Sequence, residues 1–198
     1  MILYHLSQTL KPGDALVCDY QNCLRLAEPF LQGLERGEDC FAGMVLNGKY
    51  LFAVLSRSGL REWSDYAKWA TEGAFEYVRR KKYPRCVSRL ACNYFYSDLA
   101  DSKRLYELDW GMESEEERGK VRLFEVEVED ERPDRRDMSL YDAAYDAMND
   151  RQDIQKVLDC ADAYYAGRQG PEPIWELLSD KKAVAARDVS ELLRQVRE

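Results

Sequence analysis

Residues 2–7 set Ile2, Tyr4 and Leu6 against Leu3, His5 and Ser7, the period-two pattern of a β-strand, so His5 and Ser7 share one face. Lys11-Pro12-Gly13-Asp14 then predicts a turn, because Pro fixes one backbone dihedral and Gly permits another, and Ala15-Leu16-Val17-Cys18 predicts a second strand. A short helix is expected near residues 26–36. Residues 43–55 hold two apolar runs around Asn47-Gly48, which suit a tight hairpin, although a helix over part of the stretch fits as well. Over residues 61–82, Trp63, Ala67, Ala70, Ala74, Tyr77 and Val78 recur at spacings of three and four and form one helical stripe. Arg79-Arg80-Lys81-Lys82 suits the carbonyl end of that helix, and Pro84 stops it.

Further along, residues 88–97 read as a strand and 98–106 as a helix. Residues 120–129 alternate with apolar groups on both faces, which marks a central strand. The charge-rich stretches 113–118 and 129–137 are expected to be solvated connectors. Helices are predicted over 139–149 and 153–166, the second stopped by Gly167, and Gly170-Pro171-Glu172-Pro173 forms a rigid turn. Residues 174–178 lead to a short strand at 183–189, and a final helix starts at Ser190 and runs to 198. The pattern predicts one α+β domain over residues 1–198, whose first and near-last strands lie in the same sheet.

At 198 residues the chain fits one domain with a real core, and 45% hydrophobic against 33% charged residues is too apolar a mixture for a disordered chain. A net charge of −8 disfavours non-specific nucleic-acid binding, though not a local basic groove. The six cysteines include no C-x-x-C pair and are expected to be reduced, mostly small core residues. No apolar run is long enough to span a membrane, and the start carries no export signal, so a cytoplasmic protein is expected. His5 is the one histidine, which excludes a multi-histidine metal centre, and neither a P-loop nor a G-x-G-x-x-G turn is present.

Several segments stand in a fixed order. Tyr4-His5-Leu6-Ser7 precedes Leu10-Lys11-Pro12-Gly13-Asp14. Phe75-Glu76-Tyr77-Val78-Arg79 precedes Tyr83-Pro84, then Ser88-Arg89-Leu90 and Asn93-Tyr94-Phe95-Tyr96-Ser97. Ala163-Tyr164-Tyr165-Ala166-Gly167 and Trp175-Glu176-Leu177-Leu178 close the series. Together they resemble a bacterial family similar to the ADP-ribosyltransferase superfamily, in the branch with a histidine, tyrosine, glutamate signature. The resemblance covers nearly the whole chain, and each motif is weak alone.

It implies a split mixed or antiparallel β-sheet core with flanking helices, and NAD as substrate. It also implies transfer of ADP-ribose to an acceptor, protein, nucleic acid or small molecule, in a toxin, defence or phage setting. His5 before the hydroxyl residue Ser7 matches the superfamily's first strand, and Glu176 in Glu176-Leu177-Leu178 matches its late glutamate. The middle position is open among Tyr94, Tyr96 and Tyr106, with Tyr96 placed first. Asp137, after Arg135-Arg136, is the alternative carboxylate, because related transferases that modify antibiotics use an aspartate in a comparable place.

The chemistry asks for few side chains. Nicotinamide leaves NAD as a neutral group, so the pocket must hold the ribose, stack the ring and place negative charge beside an oxocarbenium-like centre. The resemblance gives His5 a ribose hydroxyl, with Ser7 helping to orient it, and gives a tyrosine the nicotinamide ring. Arg89 receives the pyrophosphate through its planar fork, and Glu176 the reacting ribose and an incoming nucleophile.

Two other classes compete with a transferase: a catalytically silent nucleotide- or protein-binding module on the same fold, and an interaction protein using its acidic loops. Glu76, beside Arg79 and Arg80, is expected to be an ion-pair member. The basic run over residues 79–89 would receive NAD phosphates or a nucleic acid, the first preferred.

Overall fold

The computed structural model describes residues 1–36, 62–150 and 152–194. The hairpin or helix expected over 43–55 lies outside the described residues, as do Cys40 and the end of the final helix. Contacts divide the chain into two compact units. Met1–Cys18, Cys92–Arg135 and Ile174–Glu198 form one, here the sheet unit, and Asp19–Ala91 with Arg136–Pro173 form the other, the helical unit.

In the sheet unit β1 (Ile2–Ser7), β4 (Arg122–Val128), β7 (Ala183–Asp188) and β2 (Ala15–Leu16) form an antiparallel sheet in the order β1-β4-β7-β2. The first and near-last strands thus share a sheet, as expected, and β4 is central because both its faces carry apolar residues. A second sheet has the order β3-β6-β5, from β3 (Asn93–Phe95), β6 (Trp175–Ser179) and β5 (Asp134–Asp137), where the chain passes from one unit to the other. Leu3, Leu16, Phe95, Phe124, Val126, Val128, Leu177, Ala183 and Ala185 pack as one buried cluster. The protein is therefore α+β with a four-stranded antiparallel sheet and flanking helices.

Three expectations fail in this unit. Residues 88–97 are not one strand, since a 3-10 turn at Arg89–Ala91 precedes β3. The connector at 113–118 holds α4 (Glu115–Lys120) instead, following α3 (Leu99–Trp110). Ser114 caps α4, three glutamates occupy its first turn, and Arg118 and Lys120 its last, so the charges complement the helix dipole. The connector at 129–137 contributes β5. Beyond β7, α7 (Glu191–Arg194) begins one residue after Ser190.

The helical unit is built from α1 (Tyr20–Glu35), α2 (Trp63–Lys82), α5 (Met138–Asn149) and α6 (Ile154–Tyr165). Helix α1 starts earlier than residue 26 and runs through Pro29, with the Asp19 side chain accepting from the Asn22 N–H at its start. Ala67, Ala70, Ala74 and Val78 of α2 are buried as their spacing predicts, whereas Trp63 and Tyr77 are half-buried. A Cβ at Gly73 would lie 2.8 Å from the Phe30 Cβ, so glycine lets α1 and α2 approach closely. Gly167 has φ +72° and ends α6, a conformation that favours glycine. Of the five described cysteines only Cys92 is buried; Cys18, Cys23, Cys86 and Cys160 are partly exposed rather than core residues. No described helix is long and apolar enough to cross a membrane.

Candidate functional site

The two sheets of the sheet unit meet at a single bridge. The Tyr4 N–H donates to the Tyr96 carbonyl and the Tyr96 N–H to the Tyr4 carbonyl, each at 2.8 Å. Because β3 pairs with β6 through Phe95 and Leu177, strands β1, β3 and β6 lie side by side where the sheet divides. This arrangement brings His5, Tyr94, Tyr96 and Glu176 to neighbouring strands of one unit.

His5 is half-buried, with Nδ1 2.7 Å from the Tyr94 carbonyl oxygen. A carbonyl only accepts, so Nδ1 carries the proton and donates it. Burial pushes the imidazole below its ordinary pKa, against the raising effect of this hydrogen bond. The neutral ring then offers the lone pair of Nε2, an acceptor suited to a hydroxyl. The Phe95 ring lies 6.0 Å from the His5 ring, tilted by 56°.

Strand pleating separates the expected residues. His5 stands opposite Phe124 and lies against Phe95, so it shares the face of the apolar cluster. Tyr96 is one residue past Phe95, and Glu176 one residue before Phe95's partner Leu177, so both point to the other face, with Tyr94 and Tyr4. Ser7 shares the His5 face, but its Oγ already accepts the Thr9 and Leu10 N–H groups at 3.2 Å, closing a turn.

Glu176 is 1% exposed and lies within β6, not at a helix end. Beside it, the Arg135 guanidinium stacks 3.7 Å over the Trp175 ring. Asp101, in the first turn of α3, accepts a hydrogen bond from the Trp175 backbone, while burial and then the Asp98 charge push its carboxyl up. Sequence reading missed Arg135 and Asp101. The one signal for Asp101 was Asp98-Leu99-Ala100-Asp101, which reads equally as a helix start.

The remaining candidates have other duties. The Arg89 fork expected for pyrophosphate is spent inside the helical unit. Arg89 is 7% exposed, pairs with Glu72 at 3.3 Å, donates to the Tyr164 hydroxyl at 2.8 Å and stacks 3.9 Å from the Tyr141 centroid. It is neither a surface ion pair nor a presented anion ligand. Asp137 uses Oδ1 on the Ser139 N–H and Oδ2 on the Gly170 N–H, at 3.0 and 2.7 Å, so it caps α5 and pins a turn. Tyr106 is buried, donates to the Arg118 carbonyl at 3.1 Å and lies under the Arg118 guanidinium. Tyr96 is 4% exposed, which leaves Tyr94 the more accessible ring. Glu76 is the expected ion-pair member, bound by Arg79, Arg80 and Ser88 at 2.8–2.9 Å.

A model of the family described as protein of unknown function (DUF2441) matches residues 46–190. No curated protein matches the chain.

Proposed function

The chain belongs to the DUF2441 family of unknown function; on the resemblance of its motifs to the ADP-ribosyltransferase superfamily, we propose that its sheet unit is an NAD-dependent ADP-ribosyltransferase acting at the division between β1 and β3. The observation that supports this reading is the tethered His5: a neutral imidazole fixed by the Tyr94 carbonyl with Nε2 left to accept a ribose hydroxyl. The expected sequence order, His5 on β1, tyrosines on β3 and Glu176 on β6, falls on adjacent strands. In the reaction the bond from ribose C1′ to the nicotinamide nitrogen breaks and its electron pair leaves with neutral nicotinamide. The reaction also needs a ring face for nicotinamide and a carboxylate to balance the positive ribose, roles the resemblance gives to Tyr94 and Glu176, which lie on the sheet face away from His5. The acceptor then forms the new bond to C1′, and its proton passes to Glu176.

Glu176 is buried and faces away from His5, which favours an interaction protein without a dinucleotide site, and a nucleotide-binding module without turnover is the other reading on the same fold. Release of nicotinamide from labelled NAD, measured beside NAD binding, separates these readings. A transferase releases nicotinamide, and Glu176→Gln abolishes release while leaving the fold intact. Binding without release by the wild type establishes the module. Full activity in Glu176→Gln would move the carboxylate role to another residue.

A further inference from the structure

The basic run at the end of α2 stays outside this chemistry, and the helical unit presents it in an ordered form. Among the described residues, Arg79, Arg80, Lys81, Lys82, Arg85 and Arg168 gather there against four carboxylates: Glu76, Glu35, Asp162 and Asp159. Glu76 is buried and consumed by Arg79 and Arg80, so it presents no charge outward. The carbonyl end of α2 contributes about half a negative charge, too little to offset the excess of cations. In a protein of net charge −8 this is a local inversion of sign. Distant carboxylates do not cancel it, because at about 0.1 M salt their field decays over about 10 Å.

Two features organise the patch. Lys82 Nζ and the Tyr83 hydroxyl donate to Asp162 Oδ1 at 2.9 and 3.1 Å, and Arg168 Nη2 donates to Oδ2 at 2.8 Å. One carboxylate therefore holds two cations, each 61% exposed, with most of their N–H groups still turned outward. Lys81 and Arg85 are exposed and make no ion pair among the described residues. Aromatic rings lie among the cations: Lys81 lies 5.8 Å from the Tyr77 centroid, and half-buried Tyr83, next to Lys82 in the chain, stacks one face on Tyr165 at 6.1 Å.

We propose that this end of the helical unit binds single-stranded nucleic acid, with Lys81, Lys82, Arg85 and Arg168 on backbone phosphates and the tyrosine faces against bases. Cations set among rings fit a chain that alternates phosphates and bases, which an acidic peptide does not offer. Binding of this kind is strongly salt-dependent, with log affinity falling against log salt at a slope of about −3 for four phosphate contacts on a single strand. This site stands apart from the NAD reading and survives its failure.

Fluorescence polarisation on the full chain, with labelled single-stranded RNA and DNA of about 16 nucleotides and a poly-glutamate peptide as control, tests it. Binding of an oligonucleotide at about 50 mM salt is expected, weakened about tenfold in Lys81→Gln/Arg85→Gln, whose side chains make no ion pair among the described residues. Asp162→Asn should act the opposite way, tightening binding about threefold by removing the competing carboxylate. A preference between the RNA and DNA arms would identify which of the two is the ligand. No oligonucleotide binding, equal binding of poly-glutamate, or affinity unchanged in the double variant would overturn the proposal.

Discussion

In the helical unit the buried charged groups Arg89 and Glu76 come with matched partners from the same unit. Arg89 lies between Glu72, the Tyr164 hydroxyl and the Tyr141 face, and the two oxygens of Glu76 receive Arg79, Arg80 and Ser88. In the sheet unit His5 is tethered through one ring nitrogen only, and burial keeps it neutral rather than paired. Saturated partners fix a fold, whereas a half-satisfied, pre-oriented group can accept a ligand. Residue type does not distinguish these situations: His5 and Arg89 were expected at the same dinucleotide, and only their surroundings separate them.

The sharpest way to break this contrast is to remove one partner of the saturated pair. Arg89→Met should cost about 3–5 kcal/mol in denaturant unfolding, because Glu72 is left buried without its cation. Glu72→Leu/Arg89→Met should recover much of that loss. Two single-variant costs that simply add would show that the groups do not act as a pair.

Next in size is Glu76. Burial raises its pKa, but the hydrogen bonds from Arg79, Arg80 and Ser88 outweigh burial and hold the carboxyl below its ordinary value. Its stabilising contribution is therefore complete above the ordinary carboxylate range and is lost as the pH falls through the depressed folded value. Glu76→Gln should lower stability at neutral pH by about 2 kcal/mol and flatten the acid limb of the stability curve. An unchanged acid limb would remove Glu76 from the pH response.

His5 shifts in the opposite sense for its type, with a folded pKa below the ordinary imidazole value of 6.5. The unfolded chain thus takes up a proton first, and stability falls as the pH drops below that value. His5→Gln should lose this component of the pH dependence between neutral and mildly acidic pH, measured by thermal unfolding across that range.

The smallest effect is expected at Tyr66, fully buried in α2 against Phe30 and Trp63, whose hydroxyl finds no partner among the described residues and whose pKa burial pushes up to about 12. Tyr66→Phe keeps the ring and removes a stranded hydroxyl, so it should stabilise the protein by about 1 kcal/mol. A destabilised variant would mean that the hydroxyl is satisfied.

Much of the fold was legible where periodicity is strong. The alternation in β1 and β4 and the three-and-four spacing in α2 and α6 are burial patterns written directly along the chain. The start of α1 was hidden because Pro29 reads as a breaker, yet Asp19 caps the helix ten residues upstream. The helix at Glu115–Lys120 was hidden because it buries nothing and rests on a cap and dipole-matched charges. Strand β5 was hidden because the charges of Asp134-Arg135-Arg136-Asp137 outweigh any apolar signal. At the candidate site the strand position of His5 was readable, but the fate of Arg89 was not. Its carboxylate partner is 17 residues away on α2, and its aromatic partners come from α5 and α6.

The most direct measurement is NAD affinity, by calorimetry, for wild type, His5→Ala and Arg89→Lys at a temperature where all three are folded. On the proposed assignment of the ribose to His5, with Arg89 confined to the helical unit's interior, His5→Ala should weaken binding tenfold or more, on the order of the 1.4 kcal/mol of one hydrogen bond. Arg89→Lys should bind NAD as the wild type does. Loss of affinity in Arg89→Lys with His5→Ala unaffected, or no NAD binding by the wild type, would contradict the assignment of the dinucleotide to His5.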